Sequence, residues 1–200
     1  MPANFQSLTP LRFLERSAAV FPEKLAIVCG DRRLTYRDFA EEATRIGREL
    51  QASGIEPGDR VAYLCPNIAE LLIAHFAVPL AGGVLVAMNV RLSADEIGYI
   101  SRHSGAKLLI AAEELLPSMQ GADSLGDVIE VIVIPGSGSG TATSSADGLP
   151  LRSYEEFRGR GSDEPLPWTV AEEQATISIK YTSGTTGDPK VCHTLTAVHI

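Results

Sequence analysis

The sequence predicts an α/β fold, with a mostly parallel sheet and helices on both faces. Three observations carry the expectation. Stretches with apolar residues at helical spacing alternate with short, continuous apolar runs, and such runs read as strands buried on both faces. Gly and Pro punctuate the chain at almost every change of period. The 200 residues, 44% hydrophobic and 21% charged, suffice for a real core. At that size roughly 70% of the unfolded surface can be buried, and a chain disordered throughout is excluded.

The elements follow in order. Thr9-Pro10 reads as an N-cap with proline in the first helical turn. Leu11, Leu14, Ala18 and Phe21 then recur at helical spacing, and Pro22 stops the helix. Leu25–Cys29 is a strand, and Gly30-Asp31 turns the chain toward Leu34. Thr35 opens a helix with Phe39, Ala43, Ile46 and Leu50 on one face, closed by Gly54. Pro57-Gly58-Asp59 is a turn into the strand Arg60–Cys65. Asn67 caps a helix through Leu71, Ile73, Ala74, Phe76 and Ala77, and Val84–Ala87 is a strand. Ser93-Ala94-Asp95-Glu96 is a capping box whose helix turns Ile97 and Ile100 inward and ends near Gly105. Strands at Ala106–Ala111 and Val128–Ile134 flank a short helical piece.

Residues 135–150 hold one charged residue and are rich in Gly, Ser and Thr, so they read as a loop or linker. A short segment at Leu151–Phe157 and a polar stretch to Pro167 lead to a last strand, Ala175–Tyr181. The expected organisation is a subdomain at 9–134, a loop at 135–167, a strand with a functional loop at 174–190, and a divergent tail at 191–200.

Several function classes are excluded or disfavoured. Lys plus Arg total 17 against 25 for Asp plus Glu, and a net charge of −8 does not suit nucleic acid. Cys29, Cys65 and Cys192 lack the spacing of a disulfide framework or a zinc site; Cys29 and Cys65 lie in apolar runs and are expected to be buried. Leu71–Met88 is long enough to span a bilayer, but Pro79 and Gly82-Gly83 interrupt it, so a buried helix, a turn and a buried strand are expected. No signal-peptide core opens the chain, and a reducing cytoplasm is the expected compartment. His75 reads as a core or rim histidine and His103 as a helix-end residue. Glu41-Glu42 and Glu113-Glu114 read as solvated faces rather than a carboxylate pair.

Chemistry concentrates after the last strand, in Thr182-Ser183-Gly184-Thr185-Thr186-Gly187-Asp188-Pro189-Lys190. Two glycines let backbone N–H groups approach an anion closely. Hydroxyls at Thr182, Ser183, Thr185 and Thr186 add donors that rotate to fit phosphate oxygens. Lys190 adds a point charge. A Walker A loop is excluded, because Asp188-Pro189 separates Gly187 from Lys190.

The ordered string Tyr-Thr-Ser-Gly-Thr-Thr-Gly-x-Pro-Lys at 181–190 resembles the signature of the adenylate-forming, AMP-binding superfamily, and of its acyl-CoA synthetase branch in particular. Leu34–Phe39, Gly58–Ala62 and Asn89–Ser93 followed by Glu96-Ile97 resemble the same family. The likeness extends over about residues 8–190. It implies the first subdomain of an adenylate-forming enzyme, truncated. It further implies ATP with Mg2+ and CoA as cofactor and co-substrate, and a small carboxylic acid as substrate. Thr182, Ser183, Gly184, Thr185, Thr186, Gly187 and Lys190 would hold the β- and γ-phosphates. No catalytic residue and no metal ligand is assigned within the chain. The family glycine after Lys190 is missing, and from Leu195 onward the sequence no longer resembles the family. That break predicts a truncated or frameshifted synthetase, inactive as a fragment, with exposed apolar surface. The alternative is a non-catalytic remnant that holds nucleotide phosphates weakly.

Overall fold

The computed structural model describes residues 9–122, 124–136, 148–159, 165–169, 175–182 and 190–195, the last stretch as backbone except for Val191 and Cys192. Helix α1, Pro10–Val20, starts after Thr9 with proline in its first turn and buries Leu11 and Leu14. It ends one residue before Phe21. That ring therefore leaves the helical face expected for it and is 55% exposed, with the Lys24 ammonium 5.5 Å above it. Strands β1 (Leu25–Cys29) and β2 (Arg32–Thr35) form an antiparallel hairpin, of which the apolar pattern marked only the first strand.

Helix α2, Tyr36–Ala52, is started by a capping box in which Thr35 N donates to Asp38 Oδ2 (2.8 Å) and Asp38 N donates to Thr35 Oγ1 (3.2 Å). Those bonds from Thr35 hold the Asp38 carboxyl below the usual carboxylate range. The chain then alternates through β3 (Arg60–Leu64), α3 (Ala69–Leu80), β4 (Val84–Ala87), α4 (Ala94–Ser104) and β5 (Ala106–Ala112). A 3-10 helix at Glu113–Met119 leads to β6 (Glu130–Ile134). Inside the stretch expected as loop, β7 (Leu151–Ser153) and α5 (Tyr154–Gly159) form, and α5 buries Phe157 completely. Finally come β8 (Thr176–Thr182) and β9 (Lys190–Leu195).

Among the described residues the main sheet has the order β7-β6-β5-β3-β4-β8-β9. Every neighbouring pair is parallel except β8 and β9. From β3 the chain steps to β4 on one side and returns to β5 on the other, a doubly wound order whose switch point lies between β3 and β5.

Period-2 alternation sends one set of strand residues to each face. Val61, Tyr63, Leu85, Leu108, Ile110 and Ile132 meet Ile46, Leu50, Ile73, Ala77 and Phe157 from α2, α3 and α5. Ala62, Leu64, Val86, Leu109, Ala111 and Val131 meet Ile97, Ile100 and Met119 on the opposite face. Each such buried large side chain contributes about 1.5–3 kcal/mol of apolar burial. The stretch 71–88 is α3, a turn and β4, as the sequence suggests, and no helix among the described residues is long and apolar enough to cross a membrane.

Candidate functional site

Strand β8 carries the candidate site to the carboxyl edge of the parallel sheet. It lies beside β4 in the register Leu85–Ser178, Val86–Ile179 and Ala87–Lys180. Beyond Lys180 the pairing with β4 ends, and Tyr181 and Thr182 extend past the neighbouring strand. On the other side Tyr181 pairs with Val191 and Thr182 with Lys190. Thr182 and Lys190, eight positions apart in sequence, are therefore opposite one another as the last pair of the ladder, where the connecting segment leaves and rejoins the hairpin. Ser183, Gly184, Thr185, Thr186 and Gly187, with Asp188, lie outside the described residues, as does the side chain of Lys190. The segment Val191–Leu195, expected as a divergent tail, is a strand here because its backbone completes the edge of β8.

Thr182 is exposed, and Tyr181 is half-buried beside it. Both line a small cavity of about 60 Å3 with Ala87, Met88, Asn89, Glu96 and Ile100. The Glu96 carboxylate is occupied there, accepting from Ser93 N (2.8 Å) and Ser93 Oγ (3.0 Å). The Tyr181 hydroxyl lies 2.9 Å from His103 Nδ1, with the two rings edge to face at 5.8 Å. His103 in turn stacks on Tyr99 at 5.4 Å. Burial pushes the Tyr181 phenol up, with Tyr99 acting in the same direction and Arg60 and Ser104 opposing, so the hydroxyl keeps its proton at neutral pH.

His103 is thus more than the helix-end residue its position suggested. No local sequence pattern signals this contact, whose partners lie 78 positions apart. Lys180 points away from this cluster and is exposed. His75 lies 2.7 Å, through Nδ1, from the carbonyl oxygen of Leu71 on its own helix and is a partly buried rim residue.

Other groups singled out by the sequence carry no chemistry in this arrangement. Cys65 is buried, and burial reinforced by Glu70 and Glu114 pushes its thiol up to about 12, which removes it as a nucleophile. Cys29 is only partly buried and Cys192 is exposed, and all three cysteines are free. Glu42 departs from the expected solvated face. It is buried and accepts from Arg158 Nε (2.7 Å) and Arg45 Nη1 (2.7 Å). Glu113 accepts from the Gly136 amide at 3.0 Å. Among the described residues no group of three or more His, Cys, Asp or Glu side chains is arranged to hold a metal ion.

A family model described as AMP-binding enzyme matches residues 14–198, so the match passes beyond Lys190 and includes β9. The chain is 37% identical over 188 residues to a 4-hydroxybutyrate–CoA ligase of Metallosphaera sedula, which covers 93% of this chain and 34% of that protein. It is 33% identical to the peroxisomal acetate/butyrate–CoA ligase AAE7 of Arabidopsis thaliana, covering 95% of this chain and 35% of the relative. Among solved structures, the anthranilate CoA ligase AuaEII in complex with anthranoyl-AMP superposes with a TM-score of 0.82 at 27% identity. That match covers 96% of this chain and 35% of the ligase. The chain spans about a third of the length of the curated relatives it matches.

Proposed function

This chain belongs to the AMP-binding enzyme family, and from that premise we propose that it is the nucleotide-phosphate-binding part of an ATP-dependent acid–thiol ligase. In the proposed reaction a carboxylate oxygen attacks the α-phosphorus of ATP. The bond from that phosphorus to the bridging oxygen breaks, and its electron pair leaves with pyrophosphate. The thiol of CoA then attacks the acyl carbon, loses its proton, and AMP departs. The chain's contribution belongs to the first step, where charge grows on the leaving pyrophosphate. Thr182, Ser183, Thr185 and Thr186 would donate hydroxyl hydrogen bonds, Gly184 and Gly187 backbone N–H bonds, and Lys190 a positive charge. Bonds of this charge-assisted kind are worth about 1.5–3 kcal/mol each. Mg2+ would accompany ATP and neutralise part of the triphosphate charge.

The observation that carries the reading is the pairing of Thr182 with Lys190 at the carboxyl edge of a parallel sheet. Ligands of open α/β sheets bind outside the carboxyl ends of the strands. Thr182 and the backbone of Lys190 stand at that edge, where an anion would arrive. The divisions at 9–134 and 174–190 stand as part of the proposal, with β7 and α5 added to the first as cover for its sheet. The substrate class is a small carboxylic acid. The proposed compartment is the cytoplasm. The three free thiols support a reducing one, although the name of the Arabidopsis relative places that protein in the peroxisome.

The test has two parts. Calorimetric titration with Mg-ATP should show binding that Lys190→Ala and Thr182→Val each weaken about tenfold or more, the loss of one charge-assisted bond. ATP–pyrophosphate exchange with short, aromatic and long-chain acids then separates an active ligase part from a remnant that only binds. Absence of ATP binding would overturn the reading altogether.

A further inference from the structure

We propose that the cavity between helix α2 and the segment 165–169 binds a small organic cation with an apolar body, of the quaternary ammonium class, through the Trp168 indole and the Glu41 carboxylate. The inference is independent of the phosphate-binding reading, and no residue of β8 or β9 takes part in it. One wall of the cavity is held in place by its own packing. Pro165 and Pro167 restrict the backbone on either side of Leu166. Leu166 is 5% exposed and packs with Leu11 and Leu80. It comes down onto α2 at Gly47, where a Cβ would stand 3.0 Å from Leu166 Cδ1. Arg48 of α2 donates to the Pro165 carbonyl. Trp168, the only tryptophan of the chain, is half-buried against the same cluster. The cavity, about 410 Å3, is lined by Glu41, Thr44 and Arg45 on the helix side and by Pro165, Leu166 and Trp168 on the other. Because that wall is ordered by its own contacts, a ligand would find it preorganised.

The sign of the ligand's charge follows from how the helix side is paired. Glu41 and Arg45 stand four positions apart on α2, in the order that favours an ion pair along a helix. Arg45 instead donates from Nη1 to Glu42 Oε1 at 2.7 Å. Glu42 is 7% exposed and accepts from Arg158 Nε as well, so Arg45 serves a buried carboxylate. Glu41 remains exposed on the cavity wall, with no ion-pair partner among the described residues. Thr44 donates its hydroxyl hydrogen to the Ala40 carbonyl at 2.9 Å and has no second donor to offer an anion. An indole attracts a cation to its face, and more strongly where water is partly excluded. The Glu41 carboxylate supplies the counter-charge. Methyl groups on the ammonium suit the apolar surface of Pro165 and Leu166, whereas a neutral apolar ligand would desolvate Glu41 without compensation.

The probe is choline, compared with its uncharged carbon isostere, in which a tert-butyl group replaces the trimethylammonium. Both are titrated into the 200-residue chain. Fluorescence of Trp168, undiluted by any other tryptophan, follows binding in the unsubstituted chain, and line broadening of the ligand methyl protons follows it in every variant. Choline should bind and perturb the fluorescence, and the isostere should bind at least about fivefold more weakly. Glu41→Gln should weaken choline about two- to fivefold, the range for one exposed ion pair, and leave the isostere unchanged. Trp168→Leu should weaken choline about two- to fivefold, and Trp168→Phe, which keeps an aromatic face, should recover part of that loss. Glu41 is exposed, so Glu41→Gln should melt with the unsubstituted chain and decides the matter even where Trp168→Leu unsettles its segment. Equal affinity for choline and the isostere, choline affinity unchanged in Glu41→Gln, or no saturable binding of choline would each overturn the inference.

Discussion

Arg152 joins three elements with one planar group. Its guanidinium donates to Glu49 Oε1 (3.0 Å) on α2, to Glu130 Oε2 (2.7 Å) on β6 and to Ser53 Oγ (3.1 Å), and it lies 4.9 Å above the Phe157 ring of α5. The side chain is 10% exposed and that of Glu49 only 2%, so solvent does little to screen the pair. Removing one partner of a buried pair strands the other, and Arg152→Ala should destabilise the chain by about 3–5 kcal/mol. Urea unfolding of Arg152→Ala, Glu49→Gln and the double variant tests this. The double variant should recover part of the loss. Arg152→Lys should remain well short of the original stability, since an ammonium cannot bridge three acceptors in the guanidinium plane.

Glu42 gives a pH dependence. Burial by itself raises its carboxyl, but the hydrogen bond and charge of Arg158, with the charges of Arg45 and Arg32, outweigh burial and hold it below the usual range. A carboxyl depressed in the folded state contributes stability above its unfolded value of about 4.3, and that stability is lost as pH falls through the folded value. Urea midpoints at pH 7 and near pH 3.5 should therefore differ more in the unsubstituted chain than in Glu42→Gln. Equal differences would remove Glu42 from the acid response.

Helix α4 shows what local chemistry specifies at both ends of an element. The Ser93–Glu96 box satisfies the Ser93 and Glu96 amides at its start. Gly105 ends it in the left-handed region at φ +62°, and a Cβ there would meet the Arg60 guanidinium. Ser93→Ala should cost about 1 kcal/mol. Gly105→Ala should cost about 1–2 kcal/mol from backbone conformation alone, and more if Arg60 is displaced. Thermal melts of the two variants, with hydrogen exchange of Ile97–Ser104, check both. An undiminished helix in Gly105→Ala would show that the stop is set elsewhere. Elements like α4 and α2 were legible because cap, apolar stripe and terminal glycine agree within some dozen residues. Less legible were β2, β7 and β9, with only Arg32–Thr35, Leu151–Ser153 and Lys190–Leu195 to show. They are short edge or hairpin strands whose partners, rather than their own apolar period, make them strands. The candidate site divides the same way. Its hydroxyls and lysine were visible as a string. The His103–Tyr181 contact, 78 positions apart, arises only when β8 is laid beside β4 and under α4.

The whole molecule buries both faces of its central strands, and that bears on the expectation that the chain would expose apolar surface. Val61, Ala62, Leu64, Leu108, Leu109, Ile110, Val131 and Ile132 are each completely buried, covered from both sides by the chain's own helices. Large apolar side chains that do reach solvent, such as Phe13 (61%), Val28 (57%), Leu72 (42%) and Ile129 (58%), lie on the periphery rather than on these strands. Of them Val28 and Leu72 line one groove, between β1 and α3. The central strands of the described core are covered by the chain's own helices. We expect the 200 residues to unfold in urea as one cooperative transition, with amide protection highest in β3 and β5. Protection should decline through β4 and β6 and be lowest in β7 and β9, which have one sheet neighbour each. Association, where it occurs at high concentration, should involve the Val28–Leu72 groove. Val28→Lys with Leu72→Glu should then raise the concentration at which the chain stays monomeric without moving the urea midpoint by more than about 0.5 kcal/mol in stability terms. Sedimentation and hydrogen exchange on the same samples decide the matter. Broad, multistep unfolding with weak protection in β3 would mean that the two faces are not closed by this chain alone.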